Sequence, residues 1–412
     1  MGSFSTALSA LKADTTAIDV VGNNLANLNT SGFKDSTVSF HDLVTQSIGG
    51  LGSAQVGFGV GAPITLRQFT QGAIQSTAGP LDAAIQGDGF FIVQTTSGAT
   101  EYSRGGNFVV TASGQLTTAT GELLQGWTVN GGVLNTTAPV SSITVSVGSL
   151  TPPVATTTTS VDLNLNAAGT TASPSGSFST SVAVYDSLGT SHIVTFDFTK
   201  TATANQWDYS VSIPAADTTG PSTPVTGTLT FDTSGNLISP TATDPAPVIT
   251  ATGLVDGAAD LNIAWNLYNA GASRITQFAQ TSAISADEQN GSAAANLVNV
   301  ALSDGGQIVA RYSNGQQTAI AQVAMATFRN PQSLIAVGNN NYQTSAVTAL
   351  PAIGLPGTGG RGAVIGGAVE ASTVDIATEF TNLIIFQRGY QANSKVITTV
   401  DQISQETIAL KQ

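Results

Sequence analysis

Apolar residues recur at seven-residue intervals at the two ends of this chain, whereas its interior shows almost no helical periodicity. Such spacing is typical of helices that pack along one seam. It predicts a helix over residues 3–30 and a second over about 373–411, with Asp14 interrupting the first seam. The N-terminal repeat is Phe4, Leu11, Ile18 and Leu25, with Ala7, Val21 and Leu28 three places on. The C-terminal repeat is Ile376, Leu383, Tyr390 and Ile397.

The N-terminal helix is weak by composition. Thr15, Thr16, Val20 and several asparagines are mediocre helix formers, and isolated helices of this length are marginal in water. We therefore expect the terminal helices to be mostly unfolded alone and to become ordered against neighbouring chains. The alternative is that both are core helices of an ordinary globular domain.

The interior is predicted to consist of strands and turns. Short apolar or alternating runs bounded by Gly, Ser and Asn are typical of strands, and turn signals follow at the spacing of sandwiches or barrels. Examples are GFFIVQ (89–94), NFVVTASGQL (107–116), TSVAVYD (180–186), HIVTFDF (192–198) and QWDYSVSI (206–213). The predicted fold class is mostly β with α-helical termini, which pair into a coiled-coil-like inner tube on assembly.

A change in composition divides the interior. The stretch from about 146 to 274 holds nine Asp and no Glu, and Lys200 is its only basic residue before the boundary at Arg274. We interpret it as an outer β domain, sandwich-like or barrel-like, inserted into a loop of an inner β domain. The predicted organisation is a terminal helical domain (1–30 and 370–412), a connector (31–75 and 350–369), the inner β domain (76–145 and 275–349) and the outer β domain (146–274). The Gly- and Pro-rich stretch 350–367 is predicted to be a flexible hinge.

Few residues of this chain suit catalysis or ligand binding. It has no cysteine, and its two histidines, His41 and His192, lack metal-ligand spacing. Asp197 and Asp208 could meet across neighbouring strands, but aspartate on the polar face of an exposed strand is far commoner. The sequence therefore predicts no enzyme, no cofactor, no metal site and no small-molecule substrate.

Charge and hydropathy exclude further classes. A formal net charge of −13, with only 12 basic residues and no basic run, argues against binding to nucleic acid. Charged residues make up 9% of the chain, so uncharged hydrogen-bonding side chains dominate, which suits repeated protein–protein contact. No apolar run is long enough for a transmembrane helix, and the N-terminus lacks the pattern of a secretory signal peptide.

Motifs at both ends and on both flanks of the insertion resemble one protein family. They are IDVVGNNLANLNTSGFK (18–34), PLDAAIQGDGFFIV (80–93) with YSRGGNFVVTASGQL (102–116), GGQIVARYSNGQQTAIAQVAMATFRNPQSL (305–334) and AVEASTVDIATEFTNLIIFQRGYQANSKVITTVDQI (368–403). Together they are similar to the rod and hook proteins of the bacterial flagellum. The large inserted domain favours the hook members of that family over the rod members.

The resemblance implies a structural subunit that polymerises into a flexible curved tube, a universal joint that transmits motor torque to the filament. It implies self-association and contact with rod, hook-cap and hook–filament junction proteins. It also implies an extracellular position, reached through the flagellar type III export apparatus without a cleaved signal peptide. The alternatives are a distal rod protein of the same family and, from another class, a secreted β-rich adhesin or binding module.

One residue departs from the family pattern. Gly389 stands where relatives usually carry an Asn or Arg-type residue, and we expect it to weaken the second helix by roughly 0.5–1 kcal/mol relative to Ala.

The predicted assembly interface runs along both helices and through the segment where the first helix ends. Its asparagines offer uncharged hydrogen-bonding groups to neighbouring copies, Ser31 and Gly32 end the helix, and two phenylalanines anchor the connector. This helix end is thus predicted to be the joint between the inner tube and the β layers. The predicted interface residues are Phe4, Leu11, Ile18, Asn23, Asn24, Leu25, Asn27, Gly32, Phe33, Phe40, Ile376, Leu383, Gln387, Tyr390, Gln391 and Ile397.

Overall fold

The structure is a computed structural model that describes residues 2–43, 46–47, 55–57, 59–130, 132–146, 148, 150–171, 174–220 and 223–409. It divides into two units. The terminal unit comprises Met1–Val147, Asn299–Arg311 and Gln317–Gln412, and the inserted unit comprises Gly148–Val298 and Tyr312–Gln316. The extreme ends of the predicted helical domain and short parts of the predicted connector and outer domain lie outside the described residues.

Two long helices, α1 (Gly2–Ala26) and α2 (Ile376–Ala409), pack against each other in the terminal unit. The apolar residues that α1 buries are small and lie on one face, because their spacing follows the helical repeat; they are Ala7, Ala13, Ala17 and Val21. Glu379 is the buried residue of α2 among its described residues. Most of the large apolar side chains of both helices therefore remain at least partly exposed.

The strands fall into three successive segments of the chain. Before residue 148 they are β1 (Ser36–Ser39), β2 (Gln46–Ser47), β3 (Gln55–Val56), β4 (Ile64–Arg67), β5 (Ile74–Ser76), β6 (Ala83–Gln86), β7 (Phe90–Gln94), β8 (Thr100–Ser103), β9 (Phe108–Val110), β10 (Leu116–Thr118), β11 (Leu123–Asn130), β12 (Val133–Leu134) and β13 (Ser141–Ser142). The next segment contains β14 (Thr158–Asn166), β15 (Ser177–Tyr185), β16 (Ser191–Lys200), β17 (Gln206–Ser212), β18 (Val225–Phe231), β19 (Leu237–Ser239), β20 (Val248–Ala251), β21 (Leu261–Trp265), β22 (Tyr268–Asn269), β23 (Ala272–Ser273), β24 (Ile275–Phe278) and β25 (Ala283–Gln289). The last segment contains β26 (Leu297–Leu302), β27 (Gln307–Tyr312), β28 (Gln317–Val323), β29 (Met325–Thr327), β30 (Ile335–Gly338), β31 (Asn341–Gln343), β32 (Ala352–Gly354), β33 (Ala363–Gly366) and β34 (Ala368–Glu370).

The terminal unit contains one large sheet and several two-stranded ribbons. The sheet runs β26–β27–β28–β11–β7–β8–β31–β30 and carries an aromatic core of Phe90, Tyr102, Trp127 and Tyr342. In the ribbons, β33 pairs with β6 and β34 pairs with β5, both antiparallel. These ribbons attach the chain that leads into α2 to strands that follow α1 by only a few tens of residues.

The inserted unit is built from two sheets around one core. The first sheet has the order β15–β16–β17–β18–β19, and the second has the order β20–β21–β14–β24 with β25 paired to β14. Along β16 the side chains alternate, so that Phe196 is buried and Ile193 is exposed. Because successive strand residues point to opposite faces, this alternation gives each sheet one apolar face. Trp207 and Trp265 lie fully buried where those faces meet.

The predicted fold class, mostly β with paired α-helical termini and nested β regions, is confirmed. The first helix nevertheless ends at Ala26 and not near residue 30. The backbone N–H of Asn27 donates to both the Asn23 and Asn24 carbonyls, at 3.2 and 3.0 Å, which tightens the last turn. The Asn27 side-chain amide also donates to the Asn23 carbonyl at 2.9 Å, so asparagine chemistry ends the helix before Ser31 is reached.

Two other segments differ from their predictions. The run 107–116 forms two strands instead of one, because a tight turn at Gly114, with φ of 80°, lets Thr111 N–H donate to the Gln115 carbonyl. The stretch 350–367, predicted as a hinge, instead contributes β32 and β33 to sheets of the terminal unit. Its glycines and prolines shape the turn between β32, which pairs with β29, and β33, which pairs with β6.

The alternation along β16 yields a stability prediction. We expect Phe196→Ala to lower the free energy of unfolding of the inserted unit by about 3–5 kcal/mol, because it leaves a cavity in the core. The matched control Ile193→Ala, on the exposed face of the same strand, should change it by less than about 1 kcal/mol. Urea unfolding followed by tryptophan fluorescence measures both, and equal losses would contradict the assignment of faces.

Candidate functional site

Three motif stretches that lie far apart in the sequence meet in one buried ionic cluster. Lys34 follows α1, Arg104 follows β8, and Glu370 ends β34. Lys34 Nζ lies 2.6 Å from Glu370 Oε1, and Arg104 Nη1 lies 3.4 Å from Glu370 Oε2. All three side chains are at most 3% exposed. The cluster therefore joins two segments of the first third of the chain to a segment near its end.

Further hydrogen bonds surround this ionic cluster, although Arg104 Nε is buried without a partner among the described residues. Glu370 Oε1 also accepts from the Gly72 N–H at 2.7 Å and from Gln71 Nε2 at 3.0 Å. Arg104 Nη2 donates to the Gly87 carbonyl at 2.9 Å, and its guanidinium lies over the Phe90 ring. Burial lowers the pKa of the Lys34 ammonium, and the adjacent Glu370 carboxylate opposes that shift. Loss of Glu370 would leave two buried cations without their shared anion.

Gly32 allows three backbone segments to approach one another beside this cluster. Its φ is +71°, and a Cβ at this position would lie 2.7 Å from the carbonyl carbon of Arg104. Its N–H donates to the Glu370 carbonyl at 2.7 Å. A side chain here would meet both an unfavourable backbone conformation and a clash with main-chain atoms, so the position requires glycine.

A second polar contact joins α1, β1 and α2. Asn24 is buried; its Nδ2 donates to the Ser36 carbonyl at 2.8 Å and to Glu379 Oε1 at 2.9 Å. Its Oδ1 accepts from the Ser36 N–H at 3.0 Å. Burial raises the pKa of Glu379, the Asn24 hydrogen bond lowers it, and nearby Asp35 and Asp375 raise it further. Asn24 thus acts within the chain, where it fixes how the chain leaves α1.

The two residues that depart from the helical patterns, Asp14 and Gly389, face each other. Asp14 interrupts the seam of α1, and Gly389 is the glycine of α2. A Cβ on Gly389 would lie 3.1 Å from Asp14 Oδ2, and that oxygen accepts from Asn393 Nδ2 at 3.0 Å. The glycine therefore gives room for a carboxylate that bonds across the helix pair.

Aromatic side chains attach the segment after α1 to its surroundings. Phe33 is buried beneath the guanidinium of Arg67, which lies 5.7 Å from the ring centre. Arg67 also lies over Tyr342, at 5.5 Å. Phe40 is half exposed, and its ring centre lies 5.9 Å from that of Phe386 on α2. Both phenylalanines therefore make contacts within one chain.

The predicted interface residues fall into two groups in the isolated chain. Buried within the chain are Asn24, Gly32 and Phe33. The others remain partly or largely accessible and are Phe4, Leu11, Ile18, Asn23, Leu25, Asn27, Phe40, Ile376, Leu383, Gln387, Tyr390, Gln391 and Ile397. Their role between chains stays a prediction.

Sequence reasoning missed the residues that hold the junction together. Lys34, Arg104, Glu370 and Glu379 all lie inside the family motif stretches, but no periodicity marks them. Only 9% of the residues are charged, so a charged residue within one of these motifs was the sequence signal that could have indicated a buried ionic contact. Charged side chains are rarely buried unless they are paired, so such positions indicate long-range partners.

Asp197 and Asp208, weighed as a possible acid pair, lie exposed on neighbouring strands of the inserted unit. They line an open depression together with threonine, serine and tyrosine side chains. Exposed carboxylates among hydroxyl groups match the solvated strand face favoured from the sequence.

Within the described residues, no helix has the length and apolar character needed to cross a bilayer.

Models of flagellar protein families match most of the chain. The matching descriptions are "Flagella basal body rod protein" over 4–34, "Flagellar hook protein FlgE/F/G D1 domain" over 84–173, "Flagellar basal body protein FlaE D2 domain" over 156–292 and "Flagellar basal body rod FlgEFG protein C-terminal" over 365–410. These matches cover most of both terminal helices, the three charged residues of the ionic cluster and most of the inserted unit. They define an axial protein of the bacterial flagellum.

Full-length relatives narrow this class. The flagellar hook protein FlgE of Salmonella typhimurium is 34% identical over 99% of this chain and 100% of its own length. That of Treponema pallidum is 32% identical over 100% of both. The crystal structure of Helicobacter pylori FlgE2 shares the fold, with a TM-score of 0.52 at 14% identity over 70% of this chain and 98% of that one. The chain belongs to the flagellar hook protein FlgE family and is a structural subunit of the hook.

The ionic cluster generates a first prediction for the junction. We expect Glu370→Gln to lower the free energy of unfolding of the terminal unit by roughly 3–5 kcal/mol, because it leaves buried positive charge unpaired. Glu406→Gln on the exposed end of α2 is the matched control and should change it by less than about 0.5 kcal/mol. Chemical denaturation of the unassembled chain measures both. Similar small effects for the two variants would show that the cluster contributes little.

The Asp14–Gly389 contact generates a second prediction. Gly389→Ala in an Asp14→Ala background should stabilise α2 by about 0.5–1 kcal/mol, the ordinary helix preference for alanine. In the parent chain that gain should be reduced or reversed, because the new methyl group presses on the Asp14 carboxylate. A double-mutant cycle monitored by helix circular dichroism measures the difference. Equal gains in both backgrounds would mean that the two positions are independent.

Proposed function

We propose that the chain polymerises head to tail into a curved tube in which the paired helices line the channel and the β units form the outer layers. The tube acts as a universal joint that transmits torque from the motor to the filament. Head-to-tail contacts that do not close into a ring generate helical assemblies. Membership of the hook family supports self-association, and the surface of the helices supports their place at the centre.

One observation carries this proposal: α1 and α2 expose their large apolar side chains in the isolated chain. Phe4 is 43% exposed, Ile384 57% and Ile403 57%. Several large apolar side chains exposed along the same pair of helices are the kind of surface that proteins use for an interface. The helices pack on each other through small residues of α1, so their bulky residues remain free to fill the grooves of neighbouring helices.

Weak terminal helices fit both assembly and export. Nearly all of α2 gains little burial within one chain, and helical stability in proteins comes mainly from packing. Ordering of these helices is therefore coupled to the arrival of neighbours, which limits polymerisation before export. An extended terminal segment also passes through a narrow export channel, in keeping with the flagellar type III apparatus and with a chain that needs no cleaved signal peptide.

The same proposal names the partner proteins of the chain and gives it no catalytic role. At the ends of the tube the chain contacts rod, hook-cap and hook–filament junction proteins, and the assembly lies outside the cell. The chain has no catalytic role, and it requires no cofactor, nucleic acid or small-molecule substrate. The support is its membership of a structural family and the exposed, solvated setting of the acid pair Asp197 and Asp208.

Two alternatives make different predictions. A distal rod protein of the same family would form straight, rigid tubes, whereas full-length similarity to proteins named as hook proteins favours curved ones. A secreted β-rich adhesin would be a stable monomer with ordered ends. The exposed apolar surface of the helices favours assembly over that monomer.

Polymerisation of purified variants tests the proposed function. We expect Ile384→Lys to abolish tube formation, because it places a charge in the apolar contact between chains. The matched control Ile238→Lys alters an equally accessible isoleucine of the inserted unit, 50% exposed, and should still form tubes. Negative-stain electron microscopy of concentrated protein measures tube number and curvature. Normal tubes from Ile384→Lys would contradict the central position of the helices, and straight tubes from the parent chain would favour the rod alternative.

A further inference from the structure

A buried histidine joins separate segments of the inserted unit. His192, near the start of β16, is 5% exposed. Its Nε2 lies 3.0 Å from Asp186 Oδ2, and its Nδ1 lies 3.1 Å from Asp217 Oδ2. Asp186 belongs to the turn between β15 and β16, and Asp217 ends the short helical turn Ala215–Asp217. The imidazole therefore bridges two loops through its two nitrogens.

The two contacts together require a charged ring. An ionised carboxylate oxygen only accepts hydrogen bonds, so each ring nitrogen must carry a proton to make its contact. Neutral imidazole has one N–H and can satisfy only one of the two partners. The geometry is therefore that of an imidazolium held between two carboxylates, and removal of one proton must break one of the bonds.

A third loop is tied to the same cluster. Asp256 faces Asp186, and its Oδ1 accepts from the Ala258 N–H at 3.1 Å. Asp260, in the same loop, accepts from the Gly253 N–H at 2.9 Å. Among the residues that the structure describes, Asp186, Asp217 and Asp256 are thus the titratable groups facing His192 or its immediate partner. All of them are acids, so the histidine supplies the positive charge.

Backbone contacts join two of these loops into one body. Thr219 N–H donates to the Gly253 carbonyl at 2.7 Å, and Val255 N–H donates to the Asp217 carbonyl at 3.1 Å. Residues 215–219 and 253–257 therefore move together, and Asp217 connects this loop pair to β16 through His192. Release of the histidine contact would loosen the side of the pair next to β16, while Leu254 stays buried in the core.

We propose that His192 is a proton-operated clamp that holds the loop pair 215–219 and 253–257 against β16 and releases it when the ring loses a proton. This proposal concerns the inserted unit alone and stands whether or not the chain forms curved tubes. It gives that unit a pH-sensitive surface, while the two-sheet core remains folded.

The direction of the pH dependence follows from the surroundings of each group. Burial alone would lower the pKa of His192, but hydrogen bonds to Asp186 and Asp217 raise it above the ordinary 6.5. Burial alone would raise the pKa of Asp186, but a hydrogen bond shared with the Asp256 carboxyl, in which Asp256 carries the proton, and hydrogen bonds from His192 and two backbone N–H groups lower it from 3.8 to about 2. The clamp is therefore fully closed between about pH 4 and pH 6.5. It opens as the pH rises through the elevated pKa of His192.

Hydrogen exchange on the full chain at pH 5.5 and pH 9, corrected for intrinsic exchange rates, tests the clamp. We expect protection of residues 215–219 and 253–257 to fall at least about tenfold between the two pH values, the effect of losing one charge-assisted hydrogen bond. Peptides covering β17 should keep their protection. His192→Gln should show low loop protection at both pH values, whereas His41→Gln, at the exposed second histidine, should behave like the parent chain.

A second variant separates the clamp from a simple folding defect. Asp217→Asn keeps a hydrogen-bond acceptor beside Nδ1 but removes its charge, so the midpoint of His192 titration, followed by NMR of the two imidazoles, should shift to lower pH. The midpoint of loop release should shift with it. Loop protection that is independent of pH in the parent chain, or pH-dependent in His192→Gln, would overturn the proposal. Loss of the effect in EDTA would overturn it in favour of a bound divalent cation.

Discussion

The terminal unit depends on one buried ion pair between residues at opposite ends of the chain. Lys34 and Glu370 are 336 positions apart in sequence and 2.6 Å apart in space. Charge buried in this way is tolerated only when it is paired and hydrogen-bonded, so the pair admits little variation in how the three motif segments meet. Gly32 lies two residues before Lys34, Asn24 links α1 to Ser36 two residues after it, and β34 ends at Glu370. The direction in which α1 and α2 leave the β sheets follows from this cluster.

The helices divide their surface between two kinds of contact. Alanine and valine on α1 serve the contact within the chain, where small side chains allow close approach. Large apolar residues remain outside it and are available to other chains. The same segment can therefore hold one subunit together and join several, because the two tasks use different faces and different side-chain sizes. Asp14 and Gly389 add a polar contact of defined position within that otherwise apolar pair.

Periodicity predicted much of the fold, and long-range contacts account for what it missed. The heptads around Leu11 and Leu383 located both helices, and alternation along 192–198 located a central strand of the inserted unit, because both patterns repeat locally. The Lys34–Glu370 pair and the His192 cluster have no local pattern, since each residue is explained only by partners from other segments. Considered without its partner, Asp14 interrupts the apolar seam of α1 and Gly389 weakens α2, so neither residue indicated a contact between the helices. The end of α1 at Ala26 was missed because the side-chain bonds of Asn24 and Asn27 outweigh the apolar repeat.

The position of Glu370 has a consequence for the order in which the molecule is completed. A chain that emerges N-terminus first presents Lys34 and Arg104 long before their shared carboxylate, so the junction cannot close until residue 370 has appeared. Contacts between residues so distant in sequence form late, since a long loop must be closed first. A product cut short before residue 370 would lack the anion, and closing its junction would bury two cations without their shared partner. The ionic cluster can therefore close only in a chain that extends at least to residue 370.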